Sequence, residues 1–217
     1  HMAPNTNDLK WAEDVLFENN TITDGQCLLN IGSDARITVR NNVFRTQDTA
    51  SVPRILIGSI HGYDHRPTKD IRIENNVIIT TGADATAPIL RIGNYASTPY
   101  NGQAHHEGFS FANNTIRMAN GNTPCLSLAN KTPEYLQEVV TDNNLIYRDS
   151  DTNLISLSTG DNYNLLQWRL VSGHDMGTQV DTQMSSPVAG LVTAPPLTVT
   201  GPVSLSYGDA WDASGTG

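Results

Sequence analysis

The chain has little of what folds of this size use to staple themselves or to do chemistry. Only two cysteines, Cys27 and Cys125, stand in 217 residues. They can build neither a disulfide framework nor a Cys/His zinc site. Aromatic residues make up 6%, so small and β-branched side chains must fill any core. Basic residues are scarce: 13 Lys and Arg against 22 Asp and Glu leave a formal net charge of −9. No basic stripe is present for nucleic acid, and no aromatic–basic interleaving for single strands, so a nucleic-acid partner is not expected. No apolar run reaches membrane-spanning length, so insertion into a membrane is not expected either. No signal peptide is visible. Also missing is a helix-periodic apolar stretch of a dozen residues between strand-like segments, which excludes βαβ units. There is no Walker loop and no G-x-S-x-G elbow. Nothing implies a cofactor.

What the chain has is a repeated phrase. Asn-Asn occurs at 19–20, 41–42, 75–76, 113–114 and 143–144, after VLFE, ITVR, IRIE, FSFA and VVTD. An apolar residue follows at a fixed offset: Ile22, Phe44, Ile78, Ile116 and Ile146. The pairs are 22, 34, 38 and 30 residues apart. An unchanged phrase at uneven spacing is the mark of a solenoid with loops of different length inserted between equal turns. A second phrase shares the rhythm: CLLNIG, PRILIG, PILRIG, PCLSLA and NLISLS. It aligns Ile31, Ile57, Ile92, Leu128 and Leu157 in one column, and Leu29, Ile55, Leu90, Leu126 and Ile155 in another. Between them lie Asn30, Leu56, Arg91, Ser127 and Ser156. Period-two alternation predicts strands with one face buried.

The reading is therefore all-β: a parallel coil with each strand stacked on its equivalent one turn away. Five turns at roughly 4.8 Å each give a column about 24 Å tall. The first Asn of each pair suits a left-handed backbone position. The second turns inward, where stacked amides satisfy one another and the backbone at the bend. Outward residues before each pair, Glu18, Arg40, Glu74, Ala112 and Asp142, form a further column that keeps the coils in register. Cys27 and Cys125 fall three coils apart, roughly 14 Å, beyond disulfide reach. Both are expected to be free.

The phrase x-I-x-I-x-N-N-x-I, over about residues 12–160, resembles the coil motif of the right-handed parallel β-helix (pectate lyase-like) superfamily. That resemblance implies a right-handed single-stranded β-helix of about five coils, here residues 14–184. Residues 161–184 resemble its closing coil, with Trp168 on a strand and a turn at Gly173-His174-Asp175. Residues 1–13 would be a lead-in that includes a His1-Met2 cloning remnant. Residues 185–217, with four prolines at 187, 195, 196 and 202, would be an extended strap and tail. Members of this superfamily begin with more coils than are found here, so association with further N-terminal coils is expected. The fold hosts lyases, hydrolases, epimerases and non-catalytic adhesins, and does not choose among them.

Two insertions carry the candidate chemistry, residues 58–70 and 93–108. They follow equivalent strands and so should rise from the same side. They hold His61, Tyr63, His65, Arg66, Tyr95, Tyr100 and His105. Tyr rings suit sugars, and Arg suits a carboxylate or sulfate. Arg91, in the middle of PILRIGN, should point outward from a rigid strand beside both insertions. LRIGN resembles the strand that bears the catalytic Arg of the alginate lyase and chondroitinase B family. There a cation steadies the charge that develops as a sugar acid loses its α-proton. His65 or His105 would be the base. The partner Lys of that family has no counterpart at Ile57 or Gly58, and Lys69 falls outside the matching strand. No metal site is expected. The expected function is a carbohydrate-associated domain, secreted or at the cell surface or in the periplasm. Its partner would be a polysaccharide or oligosaccharide, uronate-containing chains among them. The alternative is a structural or adhesive β-helix module without catalysis.

Overall fold

The computed structural model describes residues 12–23, 27–31, 35–46, 54–57, 69–81, 87–92, 107–118, 123–128, 139–157 and 160–182. Each repeat supplies three short strands. The first has β1 (Leu16–Glu18), β2 (Thr21–Thr23) and β3 (Leu29–Ile31); the second has β4 (Ala35–Arg40), β5 (Val43–Thr46) and β6 (Ile55–Ile57). The third has β7 (Lys69–Glu74), β8 (Val77–Thr80) and β9 (Leu90–Ile92). The fourth has β10 (Glu107–Ala112), β11 (Thr115–Met118) and β12 (Leu126–Leu128), and the fifth β13 (Val139–Asp142), β14 (Leu145–Tyr147) and β15 (Ile155–Leu157).

Every one of these strands pairs in parallel with its equivalent one repeat away, which makes three stacked sheets compatible with a parallel β-helix. Sheet A holds the strands before the Asn pairs, sheet B those after them, and sheet C those of the second phrase. The columns read from sequence are the observed register. Glu18, Arg40, Glu74, Ala112 and Asp142 are successive neighbours, as are Asn30, Leu56, Arg91, Ser127 and Ser156.

The corner between sheets A and B follows from asparagine. Asn19, Asn41, Asn75, Asn113 and Asn143 all have positive φ, from 52° to 59°, which Asn tolerates better than most residues. The bend turns the next Asn inward. Asn42, Asn76, Asn114 and Asn144 are buried, and Asn20 at the first rung is half-buried. The amide of Asn42 donates to Asn76 Oδ1 at 3.0 Å, that of Asn76 to Asn114 at 3.1 Å, and that of Asn114 to Asn144 at 3.1 Å. Each acceptor also takes the backbone N–H of the preceding Asn at 3.0 Å. The spare amide protons reach strand carbonyls such as Val39 and Ile73.

A second left-handed column opens sheet A. Asp14, Arg36, Asp70 and Gly108 have φ of 58°, 55°, 53° and 66°. Asp and Gly suit that conformation; Arg36 does not. Arg36 lies between charges, with Nε donating to Asp14 Oδ1 at 2.6 Å and Nη2 to Glu13. At Gly108 a side chain would also collide, since its Cβ would lie 2.6 Å from Asp70 Oδ1.

Inside, aliphatic residues stack by type. Val39, Ile57, Ile73, Ile78, Leu90 and Leu128 are fully buried, with Phe44, Phe109 and Phe111 the larger fillers. At roughly 1.5–3 kcal/mol for each fully buried aliphatic side chain, these rows are the main support of the column.

The closing segment departs from the sequence expectation at Trp168. It lies not on a strand but in helix α1 (Leu165–Ser172). The local signals are helical. Asn164 caps the N-terminus in a reciprocal pair with Gln167, and Gly173, φ 74°, ends the helix. Trp168 and Ser172, four residues apart, face inward and are buried. The indole joins the core and donates to Thr141 Oγ1 at 3.0 Å. Before the helix, β16 (Asn162–Tyr163) pairs antiparallel with β15 and ends sheet C. After it, β17 (Gln179–Asp181) adds a sixth parallel strand to sheet B. Residues 1–11 and 183–217, including the expected strap, lie outside the described residues.

Candidate functional site

Sheet C carries the candidate site. Its strands alternate, with Leu90 and Ile92 buried and Arg91 between them half-buried on the outer side. The rung before places Leu56 beside Arg91, and the rung after places Ser127. Ile57 is the register partner of Ile92. The two insertions therefore leave the sheet from adjacent positions, one rung apart, beside Arg91. His61, Tyr63, His65, Arg66, Tyr95, Tyr100 and His105 lie outside the described residues, so of the sequence-derived candidates the structure positions Arg91 alone.

The lysine that the lyase template needs is not in this column. Leu56, only 1% exposed, holds the neighbouring place on the preceding rung. Lys69 is not in a loop, as its sequence position suggested, but is the first residue of β7 in sheet A, paired with Ala35 and Glu107. Arg91 belongs to another sheet. Among the described residues, no Lys stands beside Arg91 in its own column to share the charge of an elimination step.

A different set of polar groups converges inside the closing segment. Asp175 is buried, with φ 66°. Thr141 and Thr178 donate their hydroxyls to its two carboxylate oxygens, the second at 2.5 Å. Thr178 in turn accepts the backbone N–H of Asn144 and so ends the Asn ladder. Burial pushes the Asp175 carboxyl above its ordinary pKa, against the pull of these donors. A small recess of about 10 Å³ lies here, with Cys125, Leu126 and Asn144 in its wall, about the space of one water. A shifted acid in a cleft would be a candidate for catalysis. This one is enclosed by its own chain, and its partners mark it as the plug of the ladder. Sequence reasoning treated Asp175 only as a turn residue; the Gly-His-Asp spacing gave no sign of its burial.

Both thiols are free. Burial pushes Cys125 up to about 12 and also raises Cys27, whose Sγ donates to Leu29 O at 3.3 Å. Neither is an activated nucleophile. No group of three or more His, Cys, Asp and Glu that could hold a metal occurs among the described residues. No helix among them is long and apolar enough to cross a membrane.

Comparison with protein-family models, with curated proteins and with solved structures gave no match.

Proposed function

We propose that this chain is a carbohydrate-associated domain of the right-handed, pectate lyase-like β-helix type. In this reading it belongs to an exported protein that degrades or binds acidic polysaccharide. The handedness is supported by the general rule that parallel strands of one sheet are joined by right-handed crossovers. The observation that carries the function is the Ile57–Ile92 register. Two insertions that hold Tyr and His residues and Arg66 follow these neighbouring strands, and Arg91 is on the one that leads into the second. Arg91 would grip a uronate carboxylate, Tyr63, Tyr95 and Tyr100 would contact rings, and His61 and Arg66 would line the flanks. If elimination takes place, His65 or His105 takes the α-proton.

The test is a panel of acidic and neutral oligosaccharides, with binding and ultraviolet detection of unsaturated uronate product followed together. Arg91→Ala should weaken binding of the best acidic ligand at least tenfold, about 1.4 kcal/mol. Unchanged binding by that variant would overturn the placement of the site. Leu56 in the place of a lysine favours a second reading, a binding or adhesive module without turnover. Binding with no unsaturated product would select it. No binding to any glycan of the panel would overturn the carbohydrate reading itself.

A further inference from the structure

The first repeat is joined to the second in its own way. Every ion pair between two described residues spans this one boundary: Arg36 with Glu13 and Asp14, and Arg40 with Glu18. Arg36 forks onto Asp14, Nε to Oδ1 at 2.6 Å and Nη2 to Oδ2 at 3.1 Å, and its Nη2 also reaches Glu13 Oε2. A single exposed ion pair contributes little, but a forked arginine shared between two carboxylates is the geometry in which such pairs count. The backbone points the same way. Arg36, with φ 55°, stands in the left-handed column of Asp14, Asp70 and Gly108, where Asp and Gly fit and a long side chain is strained. An outlier held by specific charges points to a functional device.

Apolar support in the first coil is uneven. Val15 and Leu16 are exposed, and Phe17 and Ile22 are only half-buried, while Val39 and Phe44, their register partners one rung on, are fully buried. The third side of the same coil is well packed. Leu28 and Ile31 are buried, and the N–H groups of Leu28 and Leu29 donate to Arg54 O at 2.8 and 3.2 Å. Beyond its backbone pairing and the Asn20 rung, the first coil is thus held by packing at β3 and by charge at β1. The second coil is provided for when β1 leaves. Arg36 lies between Asp14 and Asp70 in its column, and Arg40 between Glu18 and Glu74. Each arginine has an acid of the third repeat to turn to.

We infer that residues 12–23, β1 together with β2, form a charge-latched flap over the end of the solenoid. Ionic strength sets its closure, and β3 is the fixed side. Opening bares the edges of β4 and β5, rows of N–H and C=O groups able to pair with another strand, without unfolding the coils beyond. This inference does not depend on glycan binding at Arg91, which lies on sheet C.

Hydrogen exchange of the full chain, read by mass spectrometry at about 20 mM and about 1 M sodium chloride, tests it, since the Debye length falls to about 3 Å at the higher salt. The β1 and β2 amides should exchange about fivefold faster or more at high salt, while β3, β7, β8 and β9 stay within about twofold. Glu13→Gln with Asp14→Asn and Glu18→Gln should give the fast exchange already at low salt and remove its salt dependence. Unchanged protection of β7, β8 and β9 in that protein shows that the column is kept. Arg36→Asn removes the charge but leaves a residue that tolerates the left-handed backbone; it too should speed exchange of β1 and β2. Exchange of β1 and β2 that ignores salt would overturn the flap, as would an equal quickening of β3 or of β7, β8 and β9. Slower or unchanged exchange in Arg36→Asn would overturn it as well, by showing that strain at Arg36 rather than its charge governs this end.

Discussion

An asparagine inside a β-column is tolerable only when its whole amide is used. Asn76 meets that condition: its Oδ1 accepts from Asn42 at 3.0 Å twice, and its Nδ2 donates to Val39, Glu74 and Asn114. Asn76→Ala would leave the Asn42 donors and two carbonyls without partners in the interior. The expected cost is about 1–3 kcal/mol, read as a lower urea midpoint; a change within about 0.5 kcal/mol would show the ladder to be incidental. Asp175 gives a pH signature. Its folded pKa lies above the ordinary 3.8 because burial opposes ionisation more than Thr141, Thr178 and Trp168 favour it, and Asp142 nearby adds to the rise. The folded state thus holds the proton more tightly than the unfolded chain. That contribution is full below pH 3.8 and is lost as pH rises through the raised folded value. The stability gap between wild type and Asp175→Asn should therefore shift in favour of wild type on acidification from neutral pH. A gap independent of pH would show that the carboxyl titrates normally.

At the scale of elements, α1 closes the column. A coil that merely stopped would leave Val139, Ile155 and Leu157 of the last coil against water and strand edges open to other chains. Trp168 fills that end, its ring centroid 6.4 Å from that of Tyr163. Arg169 Nε donates to Asp175 O at 2.7 Å and Nη2 to Thr178 O at 2.6 Å, which ties the helix to the turn behind it. Trp168→Ala should cost about 3–5 kcal/mol. Asn164→Ala, which removes only the helix cap, should cost about 1 kcal/mol. Chemical denaturation of both proteins checks the order; equal effects would mean that the helix rather than the indole carries the closure.

In the whole molecule each coil is supported by its neighbours, so stability should vary along the axis. The third repeat has partners on both sides. The first is thinner: Leu16 is 50% exposed and Val15 40%. Phe17, Asn20, Ile22 and Leu29 are half-buried where their equivalents deeper in the column are buried. Hydrogen exchange should release the β1, β2 and β3 amides well before those of β7, β8 and β9. Uniform protection would show that the column opens only as one unit.

The phrase around each Asn pair determined the architecture by itself. Period-two alternation sets which side chains are inside, and one tolerated left-handed residue per turn sets where the chain bends. Both are local properties, repeated five times, so the stacking register could be read before any contact was known. The Glu18, Arg40 and Glu74 column was legible in the same way, immediately before successive Asn pairs. It becomes a latch only when strands distant in sequence are set rung on rung. The helix at Trp168 had its cap signals in Asn164, Gln167 and Gly173, yet three strands of aligned pattern made a strand the natural continuation. Closing the open end decided otherwise, because a helix lays one large indole across the core while ending a sheet edge. The burial of Asp175 and the place of Lys69 on sheet A were decided by tertiary structure alone. A residue's neighbours across a solenoid lie one turn away, and the uneven loops put that turn anywhere from 22 to 38 residues along the chain.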